Sequence, residues 1–251
     1  VVGWFALLRA QLFAGDALSH VAFVGAVAAA AAGVDLRIGL FALTIGFAGA
    51  MAMLGRHGGA DDTVIGMMFA WILGIGALLL VVVATSSAGS EALTASNTLF
   101  GGIYSLSAGA SELAAAIAML VAAVVCGIFR PLLLSTLDPE FAVVRGIPVR
   151  ALGAGFLILL AIVTAESTQA VGALLLLGLL AAPAGAAHKL TTSPFRGVAL
   201  SAAFAVLAVW GGLALSYAVS PLPSGSAIIG LAATGYLGAS VFARLRAPGV
   251  R

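Results

Sequence analysis

Uncharged apolar runs follow one another along almost the whole of this 251-residue chain. Each is about 20 residues long, enough at about 1.5 Å per helical residue to cross about 30 Å of hydrocarbon. Such repetition excludes most water-soluble folds. Charged residues make up 8% of the sequence and hydrophobic ones 63%, whereas a soluble domain carries about 25% charge. No run alternates in the way a membrane barrel strand does, so the expected fold is all-α, a polytopic membrane helical bundle forming a single domain over residues 1–251.

The runs are Gly15 to Gly33, Leu36 to Leu54, Thr63 to Ala84, a broken stretch from Leu99 to Phe129, Ala151 to Thr168, Val171 to Leu190, Gly197 to Val219, and Ser224 to Ala243. They predict about eight transmembrane helices and an N-terminal stub. The stub reaches only from Val1 to Arg9, too short to span. It begins with Val rather than Met, which suggests that an N-terminal helix is missing. Glycine and alanine dominate the runs, as suits close helix packing in lipid. Pro183 is expected to break or bend its span.

Orientation follows from the basic residues. With Arg9 on the cytoplasmic side, alternation puts Arg56, Arg130, Arg145, Arg150, Lys189, Arg196, Arg244, Arg246 and Arg251 there too and leaves only Arg37 outside. Ten of the 11 basic residues therefore agree, and the C-terminus is expected in the cytoplasm of a cell whose inner membrane holds the chain. Asp35, Glu91 and Glu166, with Glu112 near them, form a mildly acidic outer mouth that attracts cations. A net charge of +2 on such a chain gives no reason to expect nucleic acid as a partner. The single Cys126 excludes an internal disulfide.

The main chemical clue is Gly15-Asp16-Ala17-Leu18-Ser19-His20. A carboxylate and an imidazole four residues apart share one helix face. An ionised Asp at the centre of a membrane helix costs about 2.5–3.5 kcal/mol on insertion scales, so it is normally turned inward with a task. Counted from Arg9 along a straight helix, Asp16 lies about 10 Å deep and His20 about 16 Å. Carboxylate oxygen with imidazole nitrogen suits divalent zinc, manganese or iron. Two ligands fall short of the usual four or so, which suits a path that must release its ion. Ser19 points about 100° away from His20 and is expected to bond a neighbouring helix. The same angle argues against a Ser19–His20 hydrolytic pair. Glu166, followed by Ser167, Thr168 and Gln169, is a candidate outer-gate contact for an entering cation. His57 and His188 read as inner-surface residues.

The longest inner loop runs from Ser135 through Leu137-Asp138-Pro139-Glu140-Phe141 to Val144-Arg145-Gly146-Ile147-Pro148. Asp138 is a good N-cap, Pro139 fits the first helical position and Glu140 complements the positive end of the helix dipole. Gly146 and Pro148 supply the stop. This predicts a cytoplasmic helix within residues 138–146 whose apolar face, Phe141 and Val144, either sits in a groove on a partner or rests on the bilayer.

Together these stretches resemble the permease family of metal-type ABC transporters, which import zinc, manganese or iron. Besides Gly15 to His20, the fragments similar to that family are Asp62-Thr63-Val64-Ile65-Gly66, Leu99-Phe100-Gly101, Asp138-Pro139-Glu140 with Gly146-Ile147-Pro148, Ala170-Val171-Gly172-Ala173-Leu174-Leu175, and Ala181-Ala182-Pro183-Ala184. Their order and spacing cover essentially the whole chain. Two departures are the Gly102 that follows Leu-Phe-Gly, where the family often has Asn, and the short loop Arg56-His57-Gly58-Gly59-Ala60.

The resemblance implies a permease paired with a second permease subunit, an identical copy or a close relative. It also implies a cytoplasmic ATP-binding subunit and an extracytoplasmic metal-binding protein. Asp16 and His20 match positions that contact metal in the translocation path, and Asp138 to Gly146 match the helix that docks on the ATPase. The divalent ion is cargo, and no permanently bound cofactor is expected. The only lysine, Lys189, follows His188 in no glycine-rich phosphate loop, so the chain is expected not to be an enzyme. Energy would come from another subunit or, in the competing reading, from an ion gradient with Asp16 and His20 as a proton or cation relay.

Overall fold

The computed structural model describes residues 1–55, 61–85, 101–219 and 222–246. Arg56, His57, Glu91, Leu99, Phe100 and Arg251 lie outside the described residues. The described residues form α1 (Val2–Leu8), α2 (Leu12–Ala31), α3 (Leu36–Leu54), α4 (Asp62–Thr85), a 3₁₀ turn (Ile103–Ser105), α5 (Ala108–Gly127), α6 (Phe129–Leu137), α7 (Pro139–Val144), α8 (Val149–Val171), α9 (Leu176–Leu190), α10 (Pro194–Ala218) and α11 (Ser224–Arg246). The fold is all-helical, and seven of these helices are long and apolar enough to cross a membrane: α2, α3, α4, α5, α8, α10 and α11.

The eighth expected span is shorter than its apolar run. Residues Val171 to Leu190 do not form one helix, because Gly172 takes φ +94° and ends α8. The helix restarts only at Leu176, leaving 15 residues in α9. At about 1.5 Å per residue α9 alone covers about 22 Å, so this run would cross the hydrocarbon only together with the non-helical residues 172–175. Pro183, expected to break or bend its span, lies inside α9 without ending it.

Internal contacts divide the chain into two compact units, Phe13–Leu176 and Val1–Leu12 with Leu177–Arg251. The first is built around α2, which is 72% buried over its apolar window. Ala22 and Ala26 of α2, Leu40 of α3 and Ala165 of α8 form a buried cluster, with Leu36 and Phe41 packed against it. α2 and α3 approach backbone to backbone. A Cβ built on Gly25 would stand 2.5 Å from the Gly39 carbonyl oxygen, and one on Gly39 would stand 2.5 Å from both Ala29 Cβ and the Gly25 oxygen. Small residues at such crossings let helices gain dispersion contact in lipid, where no hydrophobic drive holds them together. α4 and α5 are only 17% and 11% buried over their apolar windows. Their bare faces, with Trp71 and Met119 among them, suit acyl chains and would aggregate in water.

In the other unit α10 packs along α11, where a Cβ on Gly212 would collide with the backbone of Ile228. The stub is a real helix, α1, whose Trp4, Phe5 and Ala6 are buried. Trp4 lies flush on Gly197 of α10 and edge-on to Phe5 at 5.1 Å. The chain then turns through Ala10, φ +53°, with Gln11 N donating to Ala6 O at 2.8 Å. This turn corrects the depth reading, because no continuous helix joins Arg9 to Asp16. Counted from Leu12, Asp16 lies about 6 Å and His20 about 12 Å along the helix.

Candidate functional site

From Leu12 to Val27, α2 is buried except for one stripe. Leu12, Asp16 and His20 are half-buried and Phe13 is exposed, while the remaining residues of that stretch are buried. The stripe follows the i, i+4 rhythm of a helix face. Asp16 and His20 therefore lie together, as their spacing predicts, on the only uncovered side of an otherwise enclosed helix. The imidazole meets the Phe69 ring of α4 edge-on, centroids 5.2 Å apart at 66°. Phe69 also meets Phe13 at 6.1 Å and 65°. An aromatic wall limits the rotamers of His20 and keeps water from one side of it.

Among the described residues no group of three or more His, Cys, Asp or Glu side chains is placed to hold a metal ion. The stripe itself presents one carboxylate and one imidazole, half the ligand set usual for a closed metal site.

Ser19 turns away from this stripe, as its helical angle requires, and is fully buried. Its hydroxyl donates to Asp16 O at 2.7 Å and reaches Ala173 O, between α8 and α9, at 3.1 Å. The neighbour expected for it is thus the break after α8 rather than a regular helix.

Glu166 lies five residues before the end of α8, where Arg37 of α3 meets it: Nη2 donates to Oε1 at 2.5 Å. The side chains are 22% and 11% exposed, respectively. The carboxylate is therefore already neutralised, and its second oxygen, Oε2, is buried without a hydrogen-bond partner, as is Gln169 Nε2 one turn on. Asp35, in turn, caps α3, Oδ1 accepting from Arg37 N at 2.8 Å.

The loop from Ser135 to Pro148 folds as its caps dictate. Asp138 Oδ1 accepts from Phe141 N at 2.9 Å, Pro139 takes the first helical turn and Glu140 stands beside it. Gly146 adopts φ +74° at the end. The resulting α7 has six residues. Phe141 is 44% exposed and Val144 84%, and the Arg145 guanidinium lies over the Phe141 ring, 5.0 Å from its centroid. α6, just before it, was not expected. Residues 129–137 read as the tail of an apolar run and the start of a loop, yet the break at Ile128 is flanked by Gly127, the last residue of α5, and by Pro131 in the first turn of α6.

Sequence reasoning also missed Phe69, one of 13 phenylalanines with nothing local to distinguish it, and the role of Arg37.

An enclosed helix with one acid–imidazole stripe and a short capped helix with an apolar face, in a bundle with seven helices long enough to span, fit a polytopic membrane transport protein. The family model described as "ABC 3 transport family" matches residues 1–243, and the chain belongs to that family. It is 30% identical to the manganese transport system membrane protein MntC of Halalkalibacterium halodurans, over 93% of this chain and 78% of that one. It is 29% identical to the manganese import system permease protein ScaB of Streptococcus parasanguinis, over 91% and 79% respectively. A probable iron transport system membrane protein of Haemophilus influenzae is also 29% identical, over 96% and 87%. Among solved structures, PsaBC from Streptococcus pneumoniae in complex with Fab has a chain that superimposes with a TM-score of 0.81 at 25% identity, covering 98% of this chain and 89% of that one.

Proposed function

We propose that this chain is the permease subunit of an ATP-driven importer that moves a divalent first-row cation across the cytoplasmic membrane, with its C-terminus inside. The observation that carries the reading is the Asp16–His20 stripe, the one uncovered side of the most enclosed spanning helix. One hard oxygen and one borderline nitrogen suit manganese(II), iron(II) or zinc, and manganese and iron are the metals named for the relatives.

A second permease subunit, an identical copy in the simplest case, would bring a second carboxylate and imidazole to the same cation. That raises the set to the four or so ligands a defined site needs. Separating the two halves by rigid-body rotation would then release the ion, which is alternating access in its simplest form. α7 would transmit the drive. Asp138, Pro139, Glu140 and Gly146 fix a short rigid helix, and Phe141 and Val144 give it an apolar face for a groove on a cytoplasmic ATP-binding subunit. An extracytoplasmic metal-binding protein would deliver the cation on the side of Glu166 and Arg37. The ion is cargo, and the chain itself performs no hydrolysis.

Vesicles containing the permease, its ATPase and the metal-binding protein test this. Asp16→Ala and His20→Ala should each lower ATP-dependent metal accumulation by more than tenfold without loss of assembly. Normal uptake by both variants would sink the assigned path. Accumulation that follows a proton gradient and ignores ATP would favour the relay reading instead.

A further inference from the structure

One of the three residues between the two candidate ligands turns to the flank of the stripe and does something different. Ser19 is fully buried on the flank of the Asp16–His20 stripe. Its hydroxyl lies 2.7 Å from Asp16 O, the carbonyl that the helical ladder pairs with the His20 amide. The backbone between the two ligands and this hydroxyl therefore form one hydrogen-bonded node. From the node the same hydroxyl reaches Ala173 O at 3.1 Å, across 154 residues of sequence.

Ala173 belongs to an unusual piece of chain. α8 closes with Gly172 N donating to Thr168 O at 3.0 Å, and Gly172 takes φ +94°. Leu175 N then reaches back to Gly172 O at 3.4 Å before α9 begins at Leu176. This crossover packs beside the middle of a spanning helix, where carbonyls released from a regular ladder have no water to turn to and need a donor. Ser19 supplies one. A second segment holds the crossover from elsewhere: Gly102 N donates to Gln169 O at 3.3 Å, and Gly101 sits so close that a Cβ there would stand 2.3 Å from the Val171 carbonyl carbon. The first compact unit ends at Leu176, so the crossover is also where the chain leaves it.

Resting on the reading of Asp16 and His20 given above, we infer that Ser19 is a positioning residue for transport. Its hydroxyl ties the turn of α2 that carries the cation ligands to the Gly172–Leu175 crossover, so that the ligands and the crossover move together. Ser19 does not touch the cation. Its side chain points about 100° from that of His20, and both its short contacts are to backbone carbonyls. Loss of the hydroxyl therefore acts on the rate of the conformational step and not on cation binding.

The test is manganese(II) uptake by vesicles containing the complete permease, ATPase and metal-binding protein. Ser19→Ala should lower the maximum rate about tenfold, leave the half-saturating manganese concentration within about twofold, and leave recovery of the assembled complex unchanged. Ser19→Thr keeps a hydroxyl able to bond a carbonyl one turn back and should regain most of the rate. If Ser19→Ala fails to assemble, Ser19→Cys keeps the volume with a weaker donor and should transport at an intermediate rate.

A wild-type maximum rate in Ser19→Ala, or in Ser19→Cys where that stands in, overturns the inference. So does a raised half-saturating concentration at unchanged maximum rate, which would make the hydroxyl a ligand. Asp16→Ala run alongside separates the two levels of argument. If it is inactive while Ser19→Ala is normal, only the present inference fails; if it transports normally, the reading of the site fails first.

Discussion

Arg37 Nη2 donates to Glu166 Oε1 at 2.5 Å, joining α3 to α8 across 129 residues of sequence. Both groups are largely withdrawn from water, so each is stabilised chiefly by the other. Removing one partner from such a pair strands the remaining charge, at a cost of about 3–5 kcal/mol, whereas removing both costs much less. Glu166→Ala and Arg37→Ala should each lower the melting temperature of the detergent-solubilised permease, and the double variant should recover part of the loss. Strictly additive losses in a double-mutant cycle would show that the pair carries no coupling.

The cation preference of the stripe should respond to its one nitrogen. His20→Asp replaces a borderline ligand with a hard one, which weakens zinc more than manganese. In competition uptake, the zinc concentration that halves manganese transport should rise about tenfold relative to wild type. An unchanged ratio would mean that His20 does not touch the ion.

The capped helix α7 separates folding from docking. Asp138→Ala removes the cap on Phe141 N, worth about 1 kcal/mol, and six residues cannot hold a helix without it. Val144→Glu alters only an exposed side chain and should leave permease yield and melting untouched. Both variants should lose most of the co-purifying ATPase. Retention of the ATPase by Val144→Glu would remove Val144 from the docking face.

Gly101 gives a test of backbone geometry. It combines φ +79° with direct contact on the Val171 backbone, so Gly101→Ala meets both conformational strain and collision. It should lower yield and melting temperature sharply, while Gly109→Ala on exposed α5, where a Cβ meets open space, should be neutral. Equal behaviour of the two variants would contradict the packing described for the 101–102 segment.

What could be read from the sequence is what is decided within one helical turn. The Asp138 cap, the Pro139 start and the Gly146 stop act over three or four residues, and the structure has each as expected. Asp16 and His20 share a face for the same reason. The sites that escaped are decided over longer reach. Glu166 reads as a free outer carboxylate until Arg37 is brought beside it, and Ser19 has no identifiable partner until Ala173 arrives from the other end of the unit. The end of α8 falls near the boundary expected between the Ala151–Thr168 and Val171–Leu190 runs, while Pro183, the expected breaker of the second run, lies inside α9. Gly172, inside an unbroken apolar run, holds the left-handed turn that ends the helix. Counting depth from Arg9 failed at Ala10, a positive-φ alanine that no propensity would select.

The mutual contact of Gly25 and Gly39 has a mechanical consequence. With no side chain between them to act as a cushion, α2 and α3 cannot slide or tilt past one another without backbone striking backbone. They behave as a single stiff plank. Any stroke that tips the acid–imidazole stripe must carry Arg37 with it and pull on α8 through Glu166, so the smallest part that can rock in this half of the molecule is three helices wide.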